Sequence, residues 1–423
     1  MAGPSGRRGL SRRDLLLAGL SVGVAPAARA APVRLRRGIN LWPWFSLTRE
    51  FPAPRLDYDW PPFQPQRPVP TRRDLERLAA LGFDFVRLPL DPGPFLFFDG
   101  ARRAALMADL AAAVAMIRGV GLSAVVNVQA NGATHHYTPD NLYGGLAAPL
   151  LPDYRALVAD LARRFADGRG VVLEPVNEPP QACGADDWAV LQAGLHAAAR
   201  RVAPRLTLVA TGACGGLIPG LAALDPGPLR AAGPTLFSFH FYEPYLFTHQ
   251  GAPWMSEPVY RDLNAVPWPA SAGTLAATLA AVRARRNADP AFPAGERDAV
   301  DRLTVAKLTE YFAARPDRAY IDHLLGAAAA WAGHHGMATH DMLLGEFGAL
   351  RTDGHYVAAG AEDRARYIGD VRRSAEGFGF PWAMWNLVDG FGLLGPDGQV
   401  DPAVAVALGL GGAPDGAGRS GLR

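Results

Sequence analysis

Eight short apolar runs with strand character recur along this sequence, and most are separated by stretches with helical periodicity. The runs occupy residues 38–42, 83–88, 124–128, 171–173, 206–210, 236–241, 342–346 and 382–387. Helical patterns such as residues 71–81, 102–118 and 154–165 lie between them. Strands that alternate with helices form parallel sheets. Eight such units predict an α/β fold of the (β/α)8 TIM-barrel type.

An open, doubly wound parallel sheet is the alternative arrangement of the same elements. The sequence has no glycine-rich phosphate-binding turn after its first strand-like run, which weakens that alternative. In a barrel, functional side chains lie where the strands end and the loops to the helices begin. The candidate catalytic and substrate-binding residues described below all fall at such positions.

Two segments depart from the strand–helix pattern. Residues 51–70 contain seven prolines and predict a rigid, non-helical loop after the first strand. Residues 245–320 predict a long insertion after the sixth strand, and this insertion contains Trp254 and Trp268. Long loops on the catalytic face of a barrel usually shape a cleft, although both segments are also compatible with plain surface.

The first 30 residues have the pattern of a targeting segment. The sequence SRRDLLL at residues 11–17 is a twin-arginine signature, an apolar stretch follows, and Ala28-Arg29-Ala30 resembles a signal-peptidase site. We therefore expect a signal peptide at residues 1–30, a catalytic domain at 31–410 and a disordered, glycine-rich tail at 411–423. The enzyme is then expected in the periplasm or outside the cell.

Charge and hydrophobicity bound the possible partners. Residues 1–30 contain five arginines and one aspartate, so the rest of the chain has slightly more acidic than basic residues. A near-neutral chain gives no reason to expect nucleic acid or a membrane surface as partner. No later segment is long and apolar enough to predict a membrane span. We expect a monomer.

Two glutamates follow apolar runs in positions that would expose them at the ends of strands. Glu178 lies in LEPVNEP at residues 173–179, and Glu346 lies in LLGEFG at residues 343–348. A glycosidase needs two such carboxyl groups: one donates a proton to the leaving oxygen, and the other is ionised to meet the sugar carbon. The pair predicts glycoside hydrolysis.

Further polar residues end neighbouring strands in the same way: Arg87 in the second, Asn177 after the fourth, His240 and Tyr242 in and after the sixth, and Trp385 in the eighth. With the two glutamates, this set resembles glycoside hydrolase family 5, the cellulase-type retaining barrel enzymes, from residue 38 to about residue 394. The resemblance implies that Glu178 is the general acid/base and Glu346 the nucleophile.

The resemblance also implies roles for the surrounding residues. Arg87 and Tyr242 would keep Glu346 ionised, whereas burial and the nearby negative charge would keep Glu178 protonated. Asn177 would bind the sugar 2-hydroxyl, His240 would tune the acid/base, and Trp385 would offer its indole face to the cleaved sugar.

Three other tryptophans and one more carboxylate fall near the same strand ends. Trp42 and Trp44 are candidate platforms for neighbouring sugars, whereas Trp382 should face the other way and pack in the core. Glu174, four residues before Glu178, should point deeper into the barrel as a hydrogen-bonded structural residue.

The end of the third strand departs from the family pattern. Asn127 and Gln129 stand where the family commonly has an aspartate and a histidine that lines the cleaved subsite. Gln129 still donates and accepts hydrogen bonds, so it remains a candidate substrate-binding residue. His135 and His136 follow closely and are candidates to fill the same space.

Neither a metal nor another cofactor is expected. His334, His335 and His340 lack the spacing of a zinc motif and precede the seventh strand, away from the other candidates. Cys183 and Cys214 follow two successive strands, and the sequence leaves open whether they form a disulfide or remain buried thiols.

The sequence therefore predicts an exported, retaining β-glycosidase, an endo-β-1,4-glucanase acting by double displacement. A β-mannanase, or another β-glycanase acting on an exopolysaccharide, is the alternative within the class. A transglycosylase would use the same residues. A barrel that binds polysaccharide without cleaving it is the alternative outside the class, and the presence of both glutamates argues against it.

Overall fold

The computed structural model describes Met1 and residues 33–411. The predicted signal peptide at residues 1–30 and the predicted tail, apart from its first residue, lie outside this part of the chain. The strands of the described residues are β1 (Arg37–Asn40), β2 (Thr48–Glu50), β3 (Tyr58–Phe63), β4 (Phe85–Leu90), β5 (Ser123–Val128), β6 (Val171–Glu174), β7 (Thr207–Thr211), β8 (Thr235–Phe241), β9 (Met342–Phe347) and β10 (Trp382–Met384).

Eight of these strands close into a parallel barrel in the order β1-β10-β9-β8-β7-β6-β5-β4. The barrel closes where β1 pairs with both β10 and β4, so that Gly38 lies opposite Ala383 on one side and Phe85 on the other. The predicted (β/α)8 barrel is confirmed. All eight predicted runs overlap barrel strands, with boundaries that differ by at most three residues.

Helices connect the barrel strands and cover them from outside. Before β8 they are α1 (Arg72–Leu81), α2 (Gly93–Phe97), α3 (Gly100–Gly119), α4 (Pro139–Tyr143), α5 (Leu151–Arg164), α6 (Asp186–Val202), α7 (Ile218–Ala222) and α8 (Gly227–Ala231). Helix α1 shows how the sequence sets such a boundary: Thr71 and Asp74 form a reciprocal capping box, and Gly82 ends the helix in the left-handed conformation.

About two thirds of the segment between β8 and β9 is helical. It contains α9 (Tyr245–Thr248), α10 (Val259–Asp262), α11 (Leu275–Ala288), α12 (Arg297–Ala314), α13 (Arg318–His334) and the short 3-10 helices Ala270–Ala272, Ala294–Glu296 and Thr339–Asp341. Ala252, near its start, packs with Leu350 and Phe391 from the loops after β9 and β10. The segment therefore contributes to the rim of the barrel. Helices α14 (Ala361–Phe378) and α15 (Pro402–Ala407) complete the chain.

The proline-rich segment after β1 differs from the predicted loop. It forms an antiparallel hairpin of β2 and β3, with Thr48 opposite Phe63 and Glu50 opposite Tyr58. Both of its prolines within a strand, Pro61 and Pro62, lie on this isolated two-stranded sheet. Proline is tolerated there because the outer side of an edge strand does not donate a backbone hydrogen bond to a neighbouring strand. The many prolines, taken as strand breakers, therefore led to the wrong prediction of a loop.

Within the described part of the chain, no helix combines the length and apolarity needed to cross a bilayer.

Candidate active site

The interior of the barrel is apolar in one layer and polar in the next. One side chain from each of seven barrel strands joins an apolar cluster: Phe85, Val125, Val172, Val209, Leu236, Leu343 and Ala383. Because side chains alternate along a strand, the residues two positions further on face the same way. Several of these are polar and buried: Arg87, Asn127, Glu174, Thr211 and Ser238. The carboxyl end of the barrel is therefore polar inside.

Arg87 is the centre of this polar layer and is completely buried. Its guanidinium donates to both oxygens of Glu174, at 2.7 and 3.1 Å. It also donates to Glu346 Oε1 at 2.7 Å, to Asn177 Oδ1 at 2.6 Å and to Asn40 Oδ1 at 2.9 Å. One cation thus holds two carboxylates and two amides in fixed positions.

Glu346 owes its inward direction to an irregularity in β9. Phe239 pairs with Leu344, but the next residue of β8, His240, pairs with Glu346, so Gly345 is an extra residue. Such a bulge re-aims the side chain that follows it. A Cβ atom on Gly345 would lie 3.1 Å from His240 Nε2, so a glycine keeps this close approach open.

The Glu346 carboxyl is almost fully buried and well supplied with donors. Besides Arg87, the hydroxyl of Tyr242 donates to Glu346 Oε2 at 2.9 Å. Burial raises the pKa of Glu346 above its ordinary value, whereas the charges of His240 and Arg87 act in the opposite direction. The predicted contacts are therefore present, and Arg87 lowers the pKa of Glu346 as expected, although burial raises it by more.

Glu178 lies in the loop that follows β6, four residues beyond its end. Its side chain is 44% exposed, against 5% for Glu346. The expected burial of Glu178 is wrong, because this loop stands at the open mouth of the barrel and not among the inner layers. One carboxylate oxygen of Glu178 and one of Glu346 lie within 4.8 Å of each other.

His240 connects the two carboxyl groups. Its Nδ1 atom lies 2.8 Å from Glu178 Oε1 and 3.7 Å from Glu346 Oε2. Burial alone would lower the pKa of His240, but the charges of Glu346 and Glu178 raise it above its ordinary value. A proton on His240 Nδ1 would therefore be donated to Glu178, with the charge of Glu346 nearby.

A disulfide between Cys183 and Cys214 joins the loop after β6 to the loop after β7. The alternative of buried thiols is thereby excluded. Backbone hydrogen bonds reinforce the same junction, from Cys214 N to Gln181 O and from Gly215 N to Pro179 O, each 2.8 Å. The loop that carries Glu178 is therefore held against its neighbour.

Aromatic side chains lie on the rim beside the carboxyl pair. The rings of Trp42 and Trp385 are 6.4 Å apart, and both side chains are partly exposed. Trp382 is fully buried, which confirms its predicted packing role. Trp44 is also buried, stacked on Phe45. Its suggested role as a sugar platform is therefore wrong, because its face is covered.

The end of β5 carries the two amides that replace the family pattern. Neither side-chain atom of Asn127 hydrogen-bonds to the described residues, and neither does Oε1 of Gln129. His135 does not fill this space. Its Nδ1 atom lies 3.2 Å from Glu50 Oε1 of the hairpin, and its Nε2 contacts the carbonyl of Arg55.

Sequence analysis missed two groups of residues at this site. Asn40, at the end of β1, donates to the carbonyls of Gly345 and Met384 and accepts from Arg87. Asn40 is a polar residue at the end of the first predicted strand, and this position could have identified it. Tyr356 and Phe391, which flank Trp254 on the rim, come from loops without a sequence signal.

Glu178, His240 and Glu346 form the one cluster, among the residues that the structure describes, whose ligand-type atoms are spaced closely enough for a metal ion. Arg87 donates into the same cluster, and its fixed positive charge opposes a cation there. The arrangement suits proton transfer and nucleophilic attack, with one exposed and one buried carboxyl group facing each other.

A sequence model of the family described as cellulase (glycosyl hydrolase family 5) matches residues 53–390 of the chain. Endoglucanase 3 of Fibrobacter succinogenes is 24% identical over 354 residues, covering 80% of this chain and 49% of that protein. Cellodextrinase A of Ruminococcus flavefaciens is 26% identical over 222 residues, covering 52% of this chain and 61% of that protein. The chain thus spans about half the length of the curated relatives it matches.

Solved structures with the same barrel include Cel5A of Thermotoga maritima in complex with cellobiose. It has a TM-score of 0.62 at 19% identity and covers 88% of this chain and 97% of its own. Cellulose synthase subunit Z of Clostridioides difficile has a TM-score of 0.62 at 18% identity, covering 89% of this chain and 99% of its own. At these identities the likeness establishes the shared fold.

Proposed function

The chain belongs to glycosyl hydrolase family 5, and from this premise we propose that it is a retaining glycoside hydrolase that cleaves a β-linked polysaccharide. The proposed substrate is a β-1,4-glucan cut at internal bonds, which makes the protein an endo-β-1,4-glucanase. The observation that carries the proposal is the approach of Glu178 and Glu346, whose nearest ligand-type oxygens are within 4.8 Å.

The short separation supports retention. Retaining glycosidases have their two carboxyl groups about 5–5.5 Å apart, because one must reach the sugar carbon directly. Inverting enzymes need about 6.5–9.5 Å, to leave room for a water molecule between the carboxylate and the sugar. The spacing of Glu178 and Glu346 is that of the retaining class, and it supports the proposal of retention.

The surroundings of the two glutamates favour Glu346 as the nucleophile. Its position is fixed by hydrogen bonds from Arg87 and Tyr242, and both of these favour the ionised form. Glu178 is exposed to solvent and lies beside His240, so it can exchange protons with water and with the imidazole. These are the properties of a general acid that later acts as a base.

The proposed reaction has two steps. First, Glu178 gives its proton to the glycosidic oxygen while a Glu346 oxygen bonds to the anomeric carbon, and the bond to the leaving sugar breaks. Second, Glu178 takes a proton from a water molecule whose oxygen attacks the same carbon and releases the Glu346 carboxylate. Configuration at the anomeric carbon is inverted twice and so retained.

Asn177 is proposed to bind the sugar 2-hydroxyl. Its Oδ1 atom accepts a hydrogen bond from Arg87 at 2.6 Å, which turns the amide N–H groups away from Arg87 as available donors. Trp385 and Trp42, whose rings lie 6.4 Å apart on the rim, are proposed to supply aromatic faces for the sugars. Gln129 offers an unpaired acceptor, Oε1, for a further hydroxyl.

A β-mannan is the second candidate substrate. Cel5A of Thermotoga maritima, which has the same barrel, was solved with mannotriose as well as with cellobiose. Mannose differs from glucose in the direction of the 2-hydroxyl. The position of the Asn177 amide relative to that hydroxyl is therefore the feature that would separate the two substrates.

The substrate can be identified by measuring the hydrolysis of several polymers by residues 31–423. The polymers are carboxymethyl cellulose, barley β-glucan, mannan, xyloglucan and xylan. Glu178→Ala and Glu346→Ala should each abolish activity, whereas Glu257→Ala, which removes a glutamate paired with Lys307, should not. No turnover of any polymer by the wild type would favour a non-catalytic polysaccharide-binding protein.

Rescue with azide tests the roles. On an activated β-glycoside, Glu178→Ala with azide should form a β-glycosyl azide, because azide replaces water on the covalent intermediate without needing a base. Glu346→Ala with azide should form the α-glycosyl azide, because azide then takes the place of the nucleophile. The opposite pair of products would exchange the two assignments.

We further propose that the protein is exported through the twin-arginine signature and acts as a monomer. The basis is the SRRDLLL sequence at residues 11–17 and a site whose groups all come from one chain. Cell fractionation of the full chain and of an Arg12→Lys/Arg13→Lys variant tests export, and an equally exported variant contradicts it. Light scattering on the purified protein tests the monomer.

A further inference from the structure

Glu174 is the second carboxylate bound to Arg87, and the proposed reaction does not use it. Both side chains are fully buried, and the guanidinium faces Glu174 through two nitrogens, Nε and Nη2. Only one nitrogen, Nη1, faces Glu346. The guanidinium of Arg87 therefore contacts two carboxylates, and it makes more hydrogen bonds to Glu174 than to Glu346.

The two carboxylates compete for Arg87 because each is stabilised by the same charge. A negative charge at Glu174 disfavours a second negative charge at Glu346, and low solvent access strengthens this effect. Burial raises the pKa of Glu346 despite its own contact with Arg87. The negative charge of Glu178 acts in the same direction as burial.

We propose that Glu174 is a positioning residue that sets the ionisation of Glu346 by holding and partly neutralising Arg87. The inference rests on the proposed function, in which Glu346 is the nucleophile. Its role differs from that of a packing residue, since the charge of Glu174, and not only its shape, determines the pH at which the enzyme becomes active.

Other titratable and charged groups also face Glu346 and must be accounted for. Glu178 approaches from the loop after β6, His240 from β8 at 3.7 Å, and the Tyr242 hydroxyl from the residue after β8 at 2.9 Å. The Arg87 Nη2 atom also lies 3.5 Å from His240 Nε2. Removing the charge of Glu174 would lower the pKa of both Glu346 and His240. Because a neutral imidazole stabilises ionised Glu346 less than a charged one, the change at His240 partly offsets the change at Glu346.

The pH profile of kcat/KM for Glu174→Gln tests the inference, because its acid limb reports the essential base of the free enzyme. We expect the acid limb to move about one pH unit to lower pH. A pKa shift of that size is typical when a like charge is removed from a buried site. Glu174→Asp keeps the charge and should keep the wild-type limb even where kcat falls.

The control is Asp262→Asn, which removes an equally buried carboxylate from its arginine partner, Arg286, in the insertion. It should cost stability without moving the limb. A lowered rate with an unmoved limb in Glu174→Gln would overturn the inference and leave Glu174 as a packing residue. An inactive wild type would instead reject the proposed function.

Should Glu174→Gln not fold, Glu174→Asp decides, because it shortens the side chain without removing its charge. The inference requires the acid limb of this variant to stay where it is in the wild type. A limb that moves in Glu174→Asp would overturn the inference, because shape and not charge would then control Glu346.

Discussion

Single residues at this site act through one another, and Arg87 is the common partner. It touches Glu174, Glu346, Asn177 and Asn40, so a change at any of them alters the charge or position of the others. Such groups do not contribute additively. Substitutions that keep shape and remove one atom are therefore the most informative.

Tyr242→Phe removes the hydroxyl that donates to Glu346 Oε2. We expect kcat to fall about 10- to 100-fold, since a hydrogen bond to a charged group is worth about 1.5–3 kcal/mol. Steady-state kinetics on the best polymer measure this. Tyr245→Phe is the matched control, because Tyr245 is a neighbouring tyrosine that stacks on His249. An equal loss in both variants would contradict a specific role for the Tyr242 hydroxyl.

Asp91→Asn tests a buried carboxyl beneath the hairpin. Burial, together with Glu50, raises the pKa of Asp91 from 3.8 to about 7. Its stabilising effect is therefore complete below pH 3.8 and is lost as the pH rises through 7. We expect Asn, which still accepts from Gly93 N, to stabilise the protein at pH 8 by on the order of 2 kcal/mol and to have little effect at pH 4.

Thermal or urea unfolding at both pH values measures the effect of Asp91→Asn. A gain of equal size at pH 4 and pH 8 would show that it does not come from the titration of Asp91.

At the scale of elements, the bulge in β9 and the linked loops after β6 and β7 determine how Glu178 and Glu346 approach each other. Strict alternation along β9 would turn Glu346 outward, because Leu343 already faces the interior. The extra residue at Gly345 reverses that direction. Likewise, the Cys183–Cys214 disulfide joins two loops that follow adjacent strands. Both features are local irregularities on a regular barrel.

Gly345→Ala places a methyl group 2.6 Å from Ser238 Oγ and 3.1 Å from His240 Nε2. We expect His240 to be displaced, with kcat reduced at least about 10-fold and a stability cost of about 1–3 kcal/mol. Gly333→Ala is the control, because a Cβ atom there meets nothing within 4 Å. Unchanged kinetics in Gly345→Ala would mean that the strand adjusts without moving His240.

Replacing Cys183 and Cys214 together by serine releases the loop that carries Glu178. The cysteines are 31 positions apart, and releasing a loop of that size costs about 3.7 kcal/mol on the chain-entropy view. We expect a lower unfolding midpoint and a reduced kcat, because Glu178 is less firmly held. A variant with the same midpoint and the same kcat would show that the backbone hydrogen bonds alone hold the loop.

At the scale of the whole molecule, the barrel is closed by long-range pairing and depends on buried groups far from the site. His196 on α6 is buried, and burial, followed by the charge of Arg200, lowers its pKa from 6.5 to about 3. Neutral His196 therefore stabilises the fold fully above pH 6.5, and that contribution is lost as the pH falls towards 3.

His196→Leu should make the stability of the protein less sensitive to acid. Between pH 6.5 and 4, we expect the slope of unfolding free energy against pH to flatten by about 1.4 kcal/mol per unit. Urea midpoints across that range measure it. His323→Leu changes an exposed histidine and should leave the slope as in the wild type. Equal slopes in all three proteins would contradict the assignment.

The sequence by itself determined the barrel and most of the polar residues that gather at its mouth. This was possible because strand periodicity, helix caps and the apolar pattern are local properties, and parallel strands bring their carboxyl ends to one side. Glu178, Glu346, Arg87, His240 and Tyr242 could be named from that rule and the family resemblance. The same local rule missed the hairpin, where the prolines concealed β3.

Only the tertiary structure decided how those groups affect one another. Arg87 and Glu346 are 259 positions apart, and their contact depends on the closure of the barrel and on the bulge at Gly345. Burial of Glu346, exposure of Glu178 and pairing of the cysteines likewise depend on what surrounds each side chain in space. Solvent access and distance set ionisation and reactivity, and both arise from residues that are remote from one another in the sequence.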